Sequence, residues 1–197
     1  MAYTFNGTDQ AIYWDTLPLS APPFSVSVWF NPDGSAAADF IWSIFDKDEA
    51  VTDAFIIQTR ADDTIDWTRD DGATEANNIS TDTFTPTAWN HVGVRTASTS
   101  TSGLYINGGS ATSNFETVNT SGLDRMAIGA RWDTTATNHF PGAIAELAIW
   151  DSSISSLWFE MIHDGLSPLY VNPAPIFYAP LVSNTLDIIG GLTAATS

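Results

Sequence analysis

Only one segment of this 197-residue chain carries helical spacing, and that narrows the folds open to it. The stretch FPGAIAELAIWDSSISSLWFEMIHDGLSP, residues 140–168, begins as a turn and a strand. Ile154, Leu157, Trp158 and Met161 then recur at three- and four-residue intervals, which predicts a short helix over 153–163 with an apolar face. Asp151 and Ser152 offer capping oxygens at its start, and Gly165 and Pro168 stop it. Elsewhere the apolar runs are strand-length and punctuated by turn residues. They run from Tyr3 to Asn6, Ala11 to Asp15, Phe24 to Phe30, Phe40 to Phe45 and Ala54 to Thr59. They continue from Thr64 to Arg69, Trp89 to Arg95, Gly103 to Asn107, Arg125 to Trp132 and Ala143 to Trp150. Phe24, Val26, Val28 and Phe30 alternate with Ser25, Ser27 and Trp29, the period of a strand with one buried face. A parallel sheet needs a crossover between successive strands, usually helical. A single helix therefore predicts an all-β fold: a two-sheet antiparallel jelly-roll sandwich.

Apolar residues make up 44% of the chain, with 8 Trp and 11 Phe, enough to fill a core. The formal net charge of −17 opposes DNA, RNA and anionic lipid surfaces, so neither nucleic acid nor membrane is expected as a partner. The absence of cysteine excludes disulfides, thiolate metal sites and thiol catalysis. No apolar run reaches the roughly 20 residues that span a bilayer. Met1 leads straight into YTFNGTD, which reads as strand and turn and not as a signal peptide.

From Pro168 the texture changes, and two parts are expected: a body over 1–167 and a proline-rich C-terminal arm over 168–197. Proline fixes φ and removes backbone donors, so residues 168–175 should be extended and leave the body. Ile176 to Leu181 and Leu186 to Ile189 can form strands that pair within their own subunit or with a neighbour. Tyr170, Ile176, Phe177, Tyr178 and Leu181 are the partner-binding candidates of that arm.

Six pieces in order, FNGTDQAIYWD at 5–15, PFSVSVWFNPD at 23–33, WNHVGVR at 89–95, LYINGG at 104–109, MAIGARWD at 126–133 and GAIAELAIWDSSIS at 142–155, carry a resemblance. Together they resemble the laminin-G-like, concanavalin A-like jelly-roll superfamily across residues 3–166. Asn107-Gly108 suits a tight hairpin turn, and Gly129 suits close packing. In the superfamily a segment similar to FYAPLVSNTLDIIGG precedes the FNGTD strand. Here it follows the helix, at 177–191, so the arm is expected to fill the same sheet position from the other end of the chain.

Glycosidases on this fold need two carboxylates on one strand face. Glu146 is the nearest candidate, but residues 148 and 150 are Ala and Trp, and Asp151 points to the other face. No catalytic residue is assigned and no enzyme is expected. His91, His139 and His163 sit on separate elements without metal-ligand spacing. Calcium is the one cofactor the resemblance implies, with Asp46, Asp48 and Asp133 as its candidates. Acidic turns such as Asp62-Asp63 and Asp70-Asp71 also arise for backbone reasons alone.

Compact jelly rolls of this kind with a C-terminal arm resemble bacteriophage virion proteins. That resemblance implies a decoration or cement protein on the particle, bound to the major capsid protein by shape and strand pairing, as a homo-oligomer, with a trimer favoured for avidity. The alternative it implies is a carbohydrate-binding module of a tail fibre, with Trp67 and Trp132 as glycan-stacking candidates.

Overall fold

The computed structural model describes residues 2–19, 21–34, 37–46, 53–132, 135–182 and 187–196. In chain order they form β1 (Tyr3–Asn6), β2 (Ile12–Trp14), β3 (Phe24–Pro32), β4 (Phe40–Phe45), β5 (Asp53–Thr59), β6 (Ile65–Asp71), β7 (Glu75–Ile79) and β8 (Asn90–Ser98). These are followed by β9 (Thr101–Ile106), β10 (Thr112–Asn114), β11 (Arg125–Ile128), β12 (Arg131–Trp132), β13 (Ala136–Thr137) and β14 (Pro141–Trp150). The helix α1 (Ser156–His163), β15 (Phe177–Ala179) and β16 (Ala195–Thr196) complete the fold. All ladders between these strands are antiparallel.

Two seven-stranded sheets stack as a jelly-roll sandwich. Sheet A runs β1-β14-β3-β8-β9-β10, with β15 also on β14; sheet B runs β16-β2-β11-β4-β5-β6-β7. The alternation seen in β3 is realised: Phe24, Val26, Val28 and Phe30 are fully buried against Trp42, Phe55 and Trp67 of sheet B. The β8–β9 hairpin pairs Val92 with Ile106, and Asn107 and Gly108 beyond it take φ of 48° and 70°, the left-handed geometry of a type I′ turn. Gly129 lies against the Phe5 ring, where a Cβ would come within 2.3 Å of a ring carbon.

Helix α1 lies on the outer face of sheet A. Its buried residues are Phe159 and Ile162, which pack with Ile154 on Tyr105, Ala148 and Trp150. The predicted face is thus rotated: Leu157 and Met161 point to solvent and Trp158 is half-buried. The cap differs as well. The helix starts at Ser155, while Ser25 of β3 accepts the Ile154 N–H at 3.0 Å and donates to the Ser152 carbonyl at 2.8 Å. A side chain of the sheet therefore holds the helix entry where Asp151 and Ser152 were expected to cap it. Gly93 of β8 makes room for the roof, since a Cβ there would lie 2.4 Å from the Phe159 ring.

The C-terminal arm does not leave the body. Pro168 and Val171 are buried, β15 pairs Leu147–Ile149 of β14, and β16 pairs β2. Beside β15, β1 occupies the other end of the same β14 edge, at Ile144 to Pro141. The arm thus supplies one strand to each sheet of its own chain. The strand expected at Leu186 to Ile189 is not formed. Leu186 lies outside the described residues, and 187–191 make a turn in which the fully buried Asp187 carboxylate collects the N–H groups of Tyr178, Ile189 and Gly190.

Candidate functional site on the bare face of sheet B

Among the described residues no helix covers the outward positions of β4, β5, β6 and β7. At their centre is a hollow of about 280 Å³. Phe40, Phe45, Ala54 and Ile56 make an apolar floor, a cluster separate from the sandwich core. Gln58, Thr68, Asp70, Glu75, Arg131 and Asn138 form the rim. The run FIWSIF of β4 has no alternation because it is buried on both sides: Trp42 and Ile44 enter the core, and the Phe45 ring lies under the Arg131 guanidinium at 5.2 Å.

The rim carboxylates are brought together by the β6–β7 hairpin, which sets Asp70 directly opposite Glu75. Like charges facing across a ladder destabilise it. Asp70 accepts the Gly72 N–H through Oδ1 at 2.8 Å, and Glu75 accepts the Asn77 amide through Oε1 at 2.7 Å. Among the described residues the second oxygen of each has no hydrogen-bond partner. Burial raises the Asp70 carboxyl above its ordinary value, and Glu75, Asp71 and Asp53 push the same way against the Gly72 hydrogen bond. Thr68 donates to Asn77 at 2.7 Å, and Asn138 donates to the Ala38 carbonyl at 3.0 Å, so the rim is held before any ligand arrives.

The sequence candidates separate. Trp132 is half-buried on this side of the sandwich, 4.2 Å from the Tyr13 ring, with Arg125 over both aromatics at 5.5 and 5.0 Å. Trp67 cannot stack a sugar: the period of β6 turns it inward with Ile65, and it is fully buried against Phe55 and Trp42. Phe177, Tyr178 and Leu181 are likewise buried in their own chain and offer no surface to a partner; Ile176 is half-buried, and Tyr170 is 76% exposed. Asp48 and Asp133 lie outside the described residues, and Asp46 ends β4 beside Gly122. Among the described residues no group of three acids or histidines is gathered as a metal site. Asp62 and Asp71 serve their own turns, accepting the N–H groups of Thr64 and of Ala73 and Thr74. His91 and His163 meet, with ring centroids 6.3 Å apart, although they come from different elements. Sequence reading missed the pairing of Asp70 with Glu75, for which the Gly72 turn between them was the available signal.

Two stacked antiparallel sheets with a short helix on an outer face define a jelly-roll β-sandwich of the laminin-G-like kind. The chain is a member of the concanavalin A-like lectin/glucanases superfamily, whose family model matches residues 6–158. Among solved structures it is similar to a SAP-like pentraxin from Limulus polyphemus, at 15% identity and TM-score 0.65, over 81% of this chain and 80% of that one. It is similar to a Ruminococcus gnavus sialidase module, CBM40, bound to α2,3-sialyllactose, at 10% identity and TM-score 0.69, over 83% and 98%. It is also similar to domain 4 of the arabinanase AbnA from Geobacillus stearothermophilus, in complex with arabinotriose, at 17% identity and TM-score 0.57, over 74% and 68%. At these identities the likeness is one of fold. No curated protein sequence matches the chain.

Proposed function

We propose that this protein is a non-catalytic carbohydrate-binding module that takes a saccharide in the hollow of sheet B. The observation that carries the reading is the Asp70–Glu75 pair, set opposite each other beside an apolar floor. The pairing opposes stability, and a ligand that donates hydroxyls to both carboxylates gives it a use. The floor of Phe40, Phe45 and Ile56 suits the C–H face of a sugar ring, and Gln58 and Asn138 suit its hydroxyls. The sialyllactose and arabinotriose complexes of the R. gnavus and G. stearothermophilus modules support a saccharide on this fold.

An array of immobilised neutral and sialylated oligosaccharides tests the proposal. Binding to a subset of glycans is expected, with loss of signal in Asp70→Asn and in Glu75→Gln. An array without hits, or hits that both variants keep, overturns it. Running the array with calcium and with a chelator decides whether the acidic loop at Asp46 contributes. A place on a phage particle is a separate proposal, checked by the copy number of the chain in purified virions. It loses the support of a free strand, because β15 is paired within its own chain.

A further inference from the structure

A second site lies on the opposite face, where the roof over sheet A stops. Trp29 points outward from β3. On one side the His163 ring of α1 stacks on it at 5.8 Å and an interplanar angle of 17°. The His91 ring is a second neighbour at 5.2 Å, and Trp29 lines an open hollow of about 290 Å³ with Trp89, Ala145 and Glu146. Trp29 and Glu146 also line a neighbouring cleft of about 360 Å³ beside the C-terminal end of α1, with Ser167 and Tyr178.

Glu146 is held in this groove at a conformational cost. The ladder between β14 and β3 slips between Ala145 and Ala148, and Glu146 sits in that bulge at φ 54°. Glycine usually fills such a position, and a glutamate there is strained. Backbone strain of this kind is concentrated at sites of function. The Glu146 N–H donates to the Pro180 carbonyl at 3.3 Å, and its carboxylate accepts the Tyr178 hydroxyl. No cation pairs with this carboxylate among the described residues. Trp89 is 45% exposed, an indole left in water at the mouth of the groove.

Two indoles and a carboxylate without a cation partner among the described residues, around one hollow, match the chemistry of an organic ammonium ion, which is attracted to indoles and to the acid. We propose that the Trp29–Trp89–Glu146 groove binds an alkylammonium group, with Tyr178 orienting the carboxylate. Hydration favours inorganic cations in water, whereas methyl or methylene groups around the nitrogen gain contact with the indoles. The group can belong to a small trimethylammonium compound or to a lysine side chain. The saccharide hollow lies on the other sheet and the two proposals are independent.

Tryptophan fluorescence and amide NMR titrations test the idea. The probes are choline, its neutral isostere 3,3-dimethylbutan-1-ol, and Nα-acetyl-lysine amide. Saturable shifts confined to Trp29, Trp89 and Glu146 are expected for at least one cation, with affinity weaker by roughly tenfold for the neutral isostere. Choline binding alone assigns the site to trimethylammonium compounds, and acetyl-lysine amide binding alone assigns it to a lysine side chain. Glu146→Gln, which keeps size and a hydrogen-bond acceptor for Tyr178, loses the cation preference while its melting temperature is unchanged. Trp89→Ala weakens both cations. Equal binding of choline and the alcohol, cation binding that survives Glu146→Gln, or no saturable shift with either cation overturns the proposal. Asp70→Asn leaves these titrations unaltered, which separates this site from the saccharide hollow.

Discussion

The two outer faces of the sandwich are built by the same period-two strands and finish differently. On sheet A the outward residues beneath the roof are small or neutral: Ser25, Ser27, Gly93 and Ala148, with His91 among them. On sheet B the outward residues around the hollow are apolar at its floor, Ala54 and Ile56 among them, and polar or charged at its rim: Gln58, Thr68, Asp70 and Glu75. Ser25, Ser27 and His91 are fully buried although they fill the polar half of an alternating pattern. Polarity at alternate positions therefore marks a face that leaves the core but does not say whether that face is roofed, since Tyr105 and Trp150 lie under the helix and the smaller Ala54 and Thr68 line the hollow. A roof needs close approach and local hydrogen bonds, and Ser25 supplies both to the helix entry. The other face keeps Asp70 and Glu75 opposed on its open surface, the feature on which the saccharide proposal rests.

Deleting residues 170–197 tests the roofed side most severely. The deletion strips β15 from β14 and β16 from β2, and it removes the fully buried Phe177 and Leu181 from the core. The truncated chain is expected to show no cooperative thermal transition by circular dichroism. A native-like melt would mean that the arm is dispensable and that β15, β16 and the burial of Phe177 and Leu181 carry little of the stability.

Single truncations sharpen the contrast. Phe159→Ala empties the space under α1 and is expected to cost about 3–5 kcal/mol. Ile56→Ala on the floor of the hollow, 8% exposed and open on one side, is expected to cost less than about 2 kcal/mol. Urea midpoints at constant slope compare the two. Equal losses would mean that the hollow is as much a packed core as the roofed face is.

The roofed face was partly legible before the structure was seen. The Phe24–Phe30 alternation, the Asn107-Gly108 turn and the position of the helix follow from local rules. The face that the helix buries does not, because Leu157 and Met161 match the apolar period as well as Phe159 and Ile162 do. Only the space left by Gly93 chooses between them. β7 escaped because Asn77 and Asn78 are poor strand formers. Asn78 is satisfied by tertiary partners, donating to the Thr112 carbonyl at 3.0 Å and accepting from Ser102 at 2.9 Å. With β7 missed, the register that opposes Glu75 to Asp70 was invisible. Trp67, a glycan-stacking candidate under the carbohydrate-module alternative, shares the period of β6 with Ile65, and Asp66 and Thr68 take the outer positions, which sends Trp67 inward.

Acid separates the faces further. Burial, and secondarily the charge of His163, lowers the His91 imidazole to about 3. Its Nε2 lies 2.8 Å from Ser27 Oγ. The unfolded chain takes up a proton near the ordinary value of about 6.5 while the folded chain does not. The folded state is thus penalised progressively as pH falls from about 6.5 towards about 3, by up to roughly 1.4 kcal/mol per pH unit from this group. His91→Gln is expected to flatten the fall in urea midpoint over that window. An unchanged slope would show that His91 protonates without loss of the roof.

Asp70 has the opposite sign and the smallest effect. Its folded carboxyl is raised, so between the ordinary value and the raised one the folded state binds more protons than the unfolded state. Stability from this group is present in acid and is lost as pH rises through the raised value. At neutral pH the charge opposes folding, since Glu75 faces it across the ladder. Asp70→Asn is therefore expected to melt slightly higher than the parent at pH 7, with the advantage vanishing in acid, and to lose saccharide binding. A variant that melts lower at pH 7 would make Asp70 a structural residue of the β6–β7 turn, through its bond to the Gly72 N–H, and would remove the reason for reading the opposed carboxylates as a binding feature.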